Sequence, residues 1–192
     1  MRSILMCVAL TGALVSPTFA HIGVGQVNSF TSGIAHPLLG ADHILAMVAI
    51  GLWAVLVGGR ALWIWPSTFV AMMLAGFAAA SWGLPIPFVE PAISLSVVIL
   101  GLFVALAMKA PLGLGAAIAG LFAFFHGHAH GVEATAASLT PYAIGFALAT
   151  AGLHASGIGV GVLVEGCIGR AALRTIGGAQ VLGGLALMAG LP

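Results

Sequence analysis

Charge is what this chain lacks most. Its 192 residues hold five Lys+Arg and four Asp+Glu, 5% charged in all, where a soluble domain carries about 25% because its water-facing surface needs them. So few charges cannot coat a globule of this length, and a soluble domain is excluded. The formal net charge of +1 leaves no basic face for nucleic acid. Cysteine is nearly absent as well: Cys7 and Cys167 are the whole supply, which rules out both a disulfide framework and a thiolate metal cluster. No Gly-x4-Gly-Lys-Ser/Thr segment offers a phosphate loop. Nor does any His-Glu-x2-His, Ser/Lys or paired-Asp constellation supply the metal helix or nucleophile of an enzyme.

In place of charge there are apolar runs and histidines. Hydrophobic residues make up 61% of the chain and mean hydropathy is +1.22, with long Leu/Val/Ala/Phe stretches that also exclude collagen and disorder. This composition is that of a polytopic protein whose main partner is the lipid bilayer. Seven His against four acids is an unusual ratio, and the functional reading rests on it.

The amino terminus reads as a processing signal. Met1-Arg2-Ser3 is a short positive segment, Ile4 to Val15 is apolar for 12 residues, and Ser16-Pro17-Thr18-Phe19-Ala20 ends in small residues. That run is too short for a span, which needs ~20 apolar residues, and it fits a signal peptide over 1–20 cleaved after Ala20. The mature chain then starts at His21 on the periplasmic side of a bacterial inner membrane and continues as a Gly/Gln/Asn/Ser-containing linker to about Ser32.

Six apolar stretches follow within a single domain, 21–192, at about 38–58, 62–82, 88–108, 112–131, 141–164 and 172–190. Turn residues and charges separate them, as at Gly58-Gly59-Arg60 and Gly83-Leu84-Pro85-Ile86-Pro87. With the mature amino terminus outside, the loops after helices one, three and five face inward. Those loops hold Arg60, Lys109, Arg170 and Arg174, as the positive-inside bias requires. The expected fold is therefore an all-α integral membrane protein of six transmembrane helices with both mature termini periplasmic. Pairs such as Gly157-x3-Gly161 read as helix-packing contacts.

Ionisable groups inside a membrane are costly, so each is a functional candidate. His36-Pro37-Leu38-Leu39-Gly40-Ala41-Asp42-His43 opens the first helix; Pro37 suits a first helical turn, which puts His36 near the N-cap. On a straight helix His36 and His43 are ~10 Å apart along the axis, too far for one metal. Either Gly40 permits an unwound turn that folds His36 back, or the ligands come from different helices. Asp42 can ligate or can orient a neighbouring imidazole. The second cluster, Phe125-His126-Gly127-His128-Ala129-His130-Gly131-Val132-Glu133, closes the fourth helix. His126, His130 and Glu133 share a helical face and present the N/N/O set that a divalent transition metal uses. His128 points the other way and reads as interfacial. Both clusters fall on the periplasmic side. Glu90 at the outer end of helix three, and His21 with its new α-amine, are possible accessory ligands. His154, mid-span in helix five, reads as a hydrogen-bonded packing residue or a deeper transit site.

These two motifs together resemble the HupE/UreJ family, a likeness that extends over the whole chain. The resemblance implies a secondary permease for nickel, sometimes cobalt, serving hydrogenase or urease maturation, in which His36, Asp42, His43, His130 and Glu133 occupy the motif positions. It implies a transported Ni²⁺ or Co²⁺ and no prosthetic group or enzymatic activity. The competing readings are an intramembrane metal-dependent enzyme and a metal-binding accessory protein. Orientation is testable directly: a reporter fused after Arg60, Lys109 or Arg174 should read cytoplasmic and one after Pro87 or Ser138 periplasmic. Opposite readings at Arg60 and Lys109 would reverse the direction of transport.

Overall fold

A computed structural model describes residues 30–133 and 139–191. The expected signal peptide, His21 and most of the polar linker lie outside the described residues, as does the side chain of Glu133. Among the described residues the protein is wholly helical: α1 Phe30–Leu39, α2 Ala41–Val57, α3 Ala61–Ser81, α4 Val89–Ala105, α5 Leu112–Glu133, α6 Leu139–Cys167 and α7 Arg170–Met188. α3, α5, α6 and α7 are long and apolar enough to cross a membrane, and the protein is a multi-pass membrane protein. α1 and α2 meet that criterion only together, across an 80° bend, and α4 is a shorter apolar helix.

α2 to α7 coincide with the six apolar stretches, with shifted ends. The third stretch stops early because Ala107 adopts a left-handed φ of 48°. There the Met108 and Ala107 amides return to the Phe103 and Val104 carbonyls at 2.9 and 3.0 Å, the paired bonds that close a helix C-terminus. At 17 residues, α4 is ~25 Å long by its rise per residue.

The first stretch needs correction. Helix begins at Phe30 rather than near His36, so Pro37 stands in the second half of α1 and not in an opening turn. Proline removes the amide that would bond four residues back, and the helix lasts only to Leu39. What keeps α1 helical is its seat on α6. A Cβ at Gly33 would overlap the Tyr142 carbonyl, and one at Gly145 the Phe30 carbonyl, so the two backbones are in contact.

α2 is the central element, with every residue from Ala49 to Leu56 buried; it packs on α3, α4, α6 and α7. At its end the indole N–H of Trp53 donates to the Met108 carbonyl at 2.7 Å, while that of Trp65 donates to Leu112 at 3.0 Å. Arg174 donates to the Ala105 carbonyl at 2.8 Å, a cation on a helix C-terminus, and Arg170 pairs with Glu165 at 2.5 Å. These bonds gather the α2–α3, α4–α5 and α6–α7 junctions, with Arg60, Lys109, Arg170 and Arg174, at one end of the bundle. The start of α2 and the end of α5 lie at the other.

In lipid no hydrophobic force draws helices together, so close backbone packing must do so. α3 and α5 meet through Gly76, Gly127 and Gly131, where an added Cβ would strike the Phe124, Met73 and Phe77 carbonyls respectively. Gly127→Ala should therefore lower thermal stability in detergent, by about 1–3 kcal/mol for overpacking. Gly152→Ala on α6, where nothing lies within 4 Å of the added carbon, should be neutral or stabilise by up to ~1 kcal/mol. Equal effects would contradict the glycine-mediated contact.

Candidate metal centre

The break between α1 and α2 is one residue. Gly40 is extended, φ −83° and ψ 117°, yet its amide still reaches the His36 carbonyl at 3.1 Å and its carbonyl accepts from Ile44 at 3.0 Å. Helical bonding thus closes on both sides of the bend. A Cβ at this position would lie 2.8 Å from His43 Nδ1 and 2.9 Å from Asp42 Oδ1, so any larger residue must displace that pair. The 80° turn brings the His36 ring centroid to 5.8 Å from that of His43, instead of a straight helix's two-turn separation.

α5 supplies the third imidazole. The His130 ring lies 4.3 Å from that of His36 and 4.6 Å from that of His43. One ring nitrogen from each of the three histidines falls within 4.8 Å of the others. His43 Nδ1–H donates to Asp42 Oδ1 at 2.7 Å, and the same oxygen accepts the His43 amide at 2.9 Å. The carboxylate therefore fixes which ring nitrogen of His43 carries the proton and turns Nε2 toward the cluster, the arrangement in which a histidine ligates metal. With the His43 proton on Nδ1, its Nε2 accepts from His130 Nε2–H at 2.6 Å. Two nitrogens on one metal at ~2.0–2.1 Å each sit about 3 Å apart, so exchange of that proton for a cation needs only a small parting of the rings.

Phe146 walls the cluster, its ring 4.4 Å from that of His130 and 6.5 Å from that of His43. His43 and His130 are 4% and 2% exposed, while His36 is only partly buried. The set is three imidazole nitrogens, one supported by a carboxylate, with His36 as its more open member. Such a set suits divalent cations of intermediate softness and not Mg²⁺ or Ca²⁺, which prefer oxygen.

The remaining candidates fall elsewhere. His126 lies one turn from His130, with its ring 5.1 Å from that of His43, but it is outside the convergent group. Its Nδ1–H donates to the Phe122 carbonyl at 2.9 Å. His128 turns away from the cluster, yet it is buried rather than interfacial. Its Nε2–H donates at 2.7 Å to the Leu84 carbonyl in the α3–α4 loop, a partner that helical spacing alone could not reveal. His154 is buried in mid-α6 against Phe69, ring centroids 4.9 Å apart. The hydrogen bond expected for it is absent among the described residues: neither ring nitrogen has a partner there. Glu90 is exposed in the first turn of α4 and is not among the convergent ligands. Glu133 is the last helical residue of α5.

The aromatic walls are not part of the histidine motifs. Tyr142, Phe146, Thr150 and His154 are spaced by four along α6 and all are buried, one helical face from which Phe146 reaches the His43 and His130 rings. That spacing was the available signal.

The sequence profile of the family described as HupE / UreJ protein matches residues 8–187. The chain is 46% identical to Protein HupE of Rhizobium leguminosarum bv. viciae over 180 residues, covering 93% of this chain and 94% of that protein. No solved structure matches the chain.

Proposed function

The chain belongs to the HupE/UreJ family, a transporter family associated with nickel or cobalt uptake for hydrogenase or urease, and from that premise we propose that it is a secondary permease carrying Ni²⁺ from periplasm to cytoplasm. The observation that carries this reading is the convergence of His36, His43 and His130, with Asp42 behind His43, at the end of the bundle opposite the basic loops.

Capture begins at His36, the most open ring. A hydrated divalent cation exchanges water for imidazole nitrogens as the His43–His130 proton leaves, since ligands must be unprotonated to bind metal. The Asp42 carboxylate offsets charge that would otherwise be unsupported in a poorly solvated site. Glu133, three residues beyond His130 on α5, adds an oxygen ligand in this reading. Four full-length spans, the broken α1–α2 span and the short α4 make six crossings. The positive-inside bias then orients the histidine cluster outward. Without a nucleotide-binding segment the driving force is the metal gradient or a coupled ion. The nitrogen-rich site sets a preference over Mg²⁺ and Ca²⁺, and availability decides among Ni²⁺, Co²⁺ and Zn²⁺.

Nickel uptake by cells lacking other nickel transporters tests this. At matched protein levels His36→Ala, Asp42→Ala, His43→Ala, His130→Ala and Glu133→Ala should each reduce uptake by about 10–100-fold, the scale of losing a ligand or its support. Gly40→Ala should act similarly by displacing the Asp42–His43 pair, and His128→Ala should retain uptake. Because the ligands act as a unit, Asp42→Ala with Glu133→Ala should be little worse than either alone. Multiplicative losses would contradict a single joint site.

A further inference from the structure

α1 lies crosswise at the outer end of the bundle. Through Gly40 it joins the start of α2 at an angle of 80°, and its backbone at Phe30, Gly33 and Ile34 meets Tyr142, Gly145 and Phe146 in the first two turns of α6. Both ends are thus fixed near the outer starts of other helices. Its ten residues reach only ~15 Å, so α1 by itself crosses nothing. The side turned to the protein is small, with Gly33 and Pro37 buried. The other side is apolar: Phe30, Leu38 and Leu39 are exposed, and Thr31, Ile34, Ala35, Leu38 and Leu39 line a shallow groove of about 360 Å³. The flank of α6 that receives α1 continues inward from Gly145 through Leu148, Gly152, Ser156 and Gly159, spaced to share one side of the helix, and these four are exposed. Because α6 is long and apolar enough to cross a membrane, that exposed side meets lipid, and α1 lies on its outer stretch. At the same end Trp82, 85% exposed just past α3, marks the membrane–water boundary, the level that Trp favours.

We propose that α1 is seated in the outer leaflet, with acyl chains covering its Ile34, Leu38 and Leu39 face, and that this seat holds His36 in the cluster. Continuity carries the argument for lipid: the face adjoins a side of α6 that the bilayer already covers. Chemistry agrees, because the face bears no charge and a contiguous apolar patch left to water marks a surface that something must cover. A short helix lying in the interface plane buries its apolar side ~5–10 Å into the headgroup and acyl boundary. His36 is the one ligand that α1 contributes, and with the helix interrupted at Gly40 two supports keep it beside His130, ring centroids 4.3 Å apart. One is the α6 contact and the other is the lipid. His43 and His130 stand on α2 and α5 within the bundle, so the third nitrogen alone depends on the membrane around it. The seat is independent of what the protein carries; its role in capture rests on the transport reading.

The full-length protein with Cys7→Ser and Cys167→Ser, in bilayers of phosphatidylethanolamine and phosphatidylglycerol, can carry a nitroxide on a single introduced cysteine. Collision with dissolved oxygen then reports lipid, and collision with chromium oxalate reports water. At Leu38→Cys the ratio of the two should match that at Leu148→Cys on the exposed side of α6 and exceed that at Lys109→Cys in the α4–α5 loop several-fold. A ratio like that at Lys109→Cys, or little collision with either reagent, as beneath a second copy of the chain, would overturn the seat. Ni²⁺ binding in nanodiscs of the same lipids tests what the seat does. Leu38→Glu should weaken binding by about tenfold, whereas Leu38→Met should not. Adding His36→Ala to Leu38→Glu should cost nothing further, because both act through one nitrogen; fully additive losses would overturn the link to His36. A lipid-level label at Leu38→Cys without nickel flux in wild-type proteoliposomes would leave the seat standing and overturn the transport reading instead.

Discussion

A polar nitrogen inside a bilayer must find its partner within the protein, and much of this structure follows from how the six described histidines are housed in a chain with four acids. The outer cluster solves that problem by convergence. His43 and His130 satisfy one another across a 2.6 Å contact, and Asp42 holds the far side of the His43 ring. His36 joins them only because the helix is interrupted at Gly40. An uninterrupted helix would leave it two turns away, and the cluster would lose its outward-facing member. A single extended glycine thus turns sequence neighbours that cannot share an ion into spatial neighbours that can.

The same segments that carry the histidines also carry the packing. Along His126-Gly127-His128-Ala129-His130-Gly131, the two glycines rest on the Met73 and Phe77 carbonyls of α3. That close contact fixes the rotation of α5, which sends His126 and His130 toward the start of α2 and His128 toward the α3–α4 loop. α1 is positioned by the reciprocal Gly33 and Gly145 contacts with α6. Helix association in lipid depends on such backbone approach, so the geometry of the site and the stability of the bundle share residues. A substitution at Gly127 or Gly131 reaches the imidazoles through the helix that holds them.

Much of this is legible in the sequence alone. Hydropathy located α2 to α7 within a few residues, and the four-residue spacing of His126 and His130 against His128 gave the divergence of their directions. The His36–His43 spacing demanded either a broken helix or ligands from different helices; the geometry contains both, a break at Gly40 and His130 from α5. α1 was not legible, because Phe30–Leu39 mixes polar and apolar residues and owes its helix to a tertiary contact. The burial of His128 was hidden for a similar reason, since its acceptor, Leu84, lies 44 residues away in sequence. His154 shows the opposite failure: a mid-membrane histidine invites a hydrogen bond, and no described residue supplies one.

The central claim is that imidazoles from two separate segments hold one cation at the outer cluster. X-ray absorption at the nickel edge, on protein carrying one tightly bound Ni²⁺ per chain, tests it most directly. Scattering from imidazole rings at ~2.0–2.1 Å, reduced in His36→Ala, His43→Ala and His130→Ala alike, is the predicted result. A shell of oxygen without ring scattering, or a spectrum unchanged by His130→Ala, would contradict it.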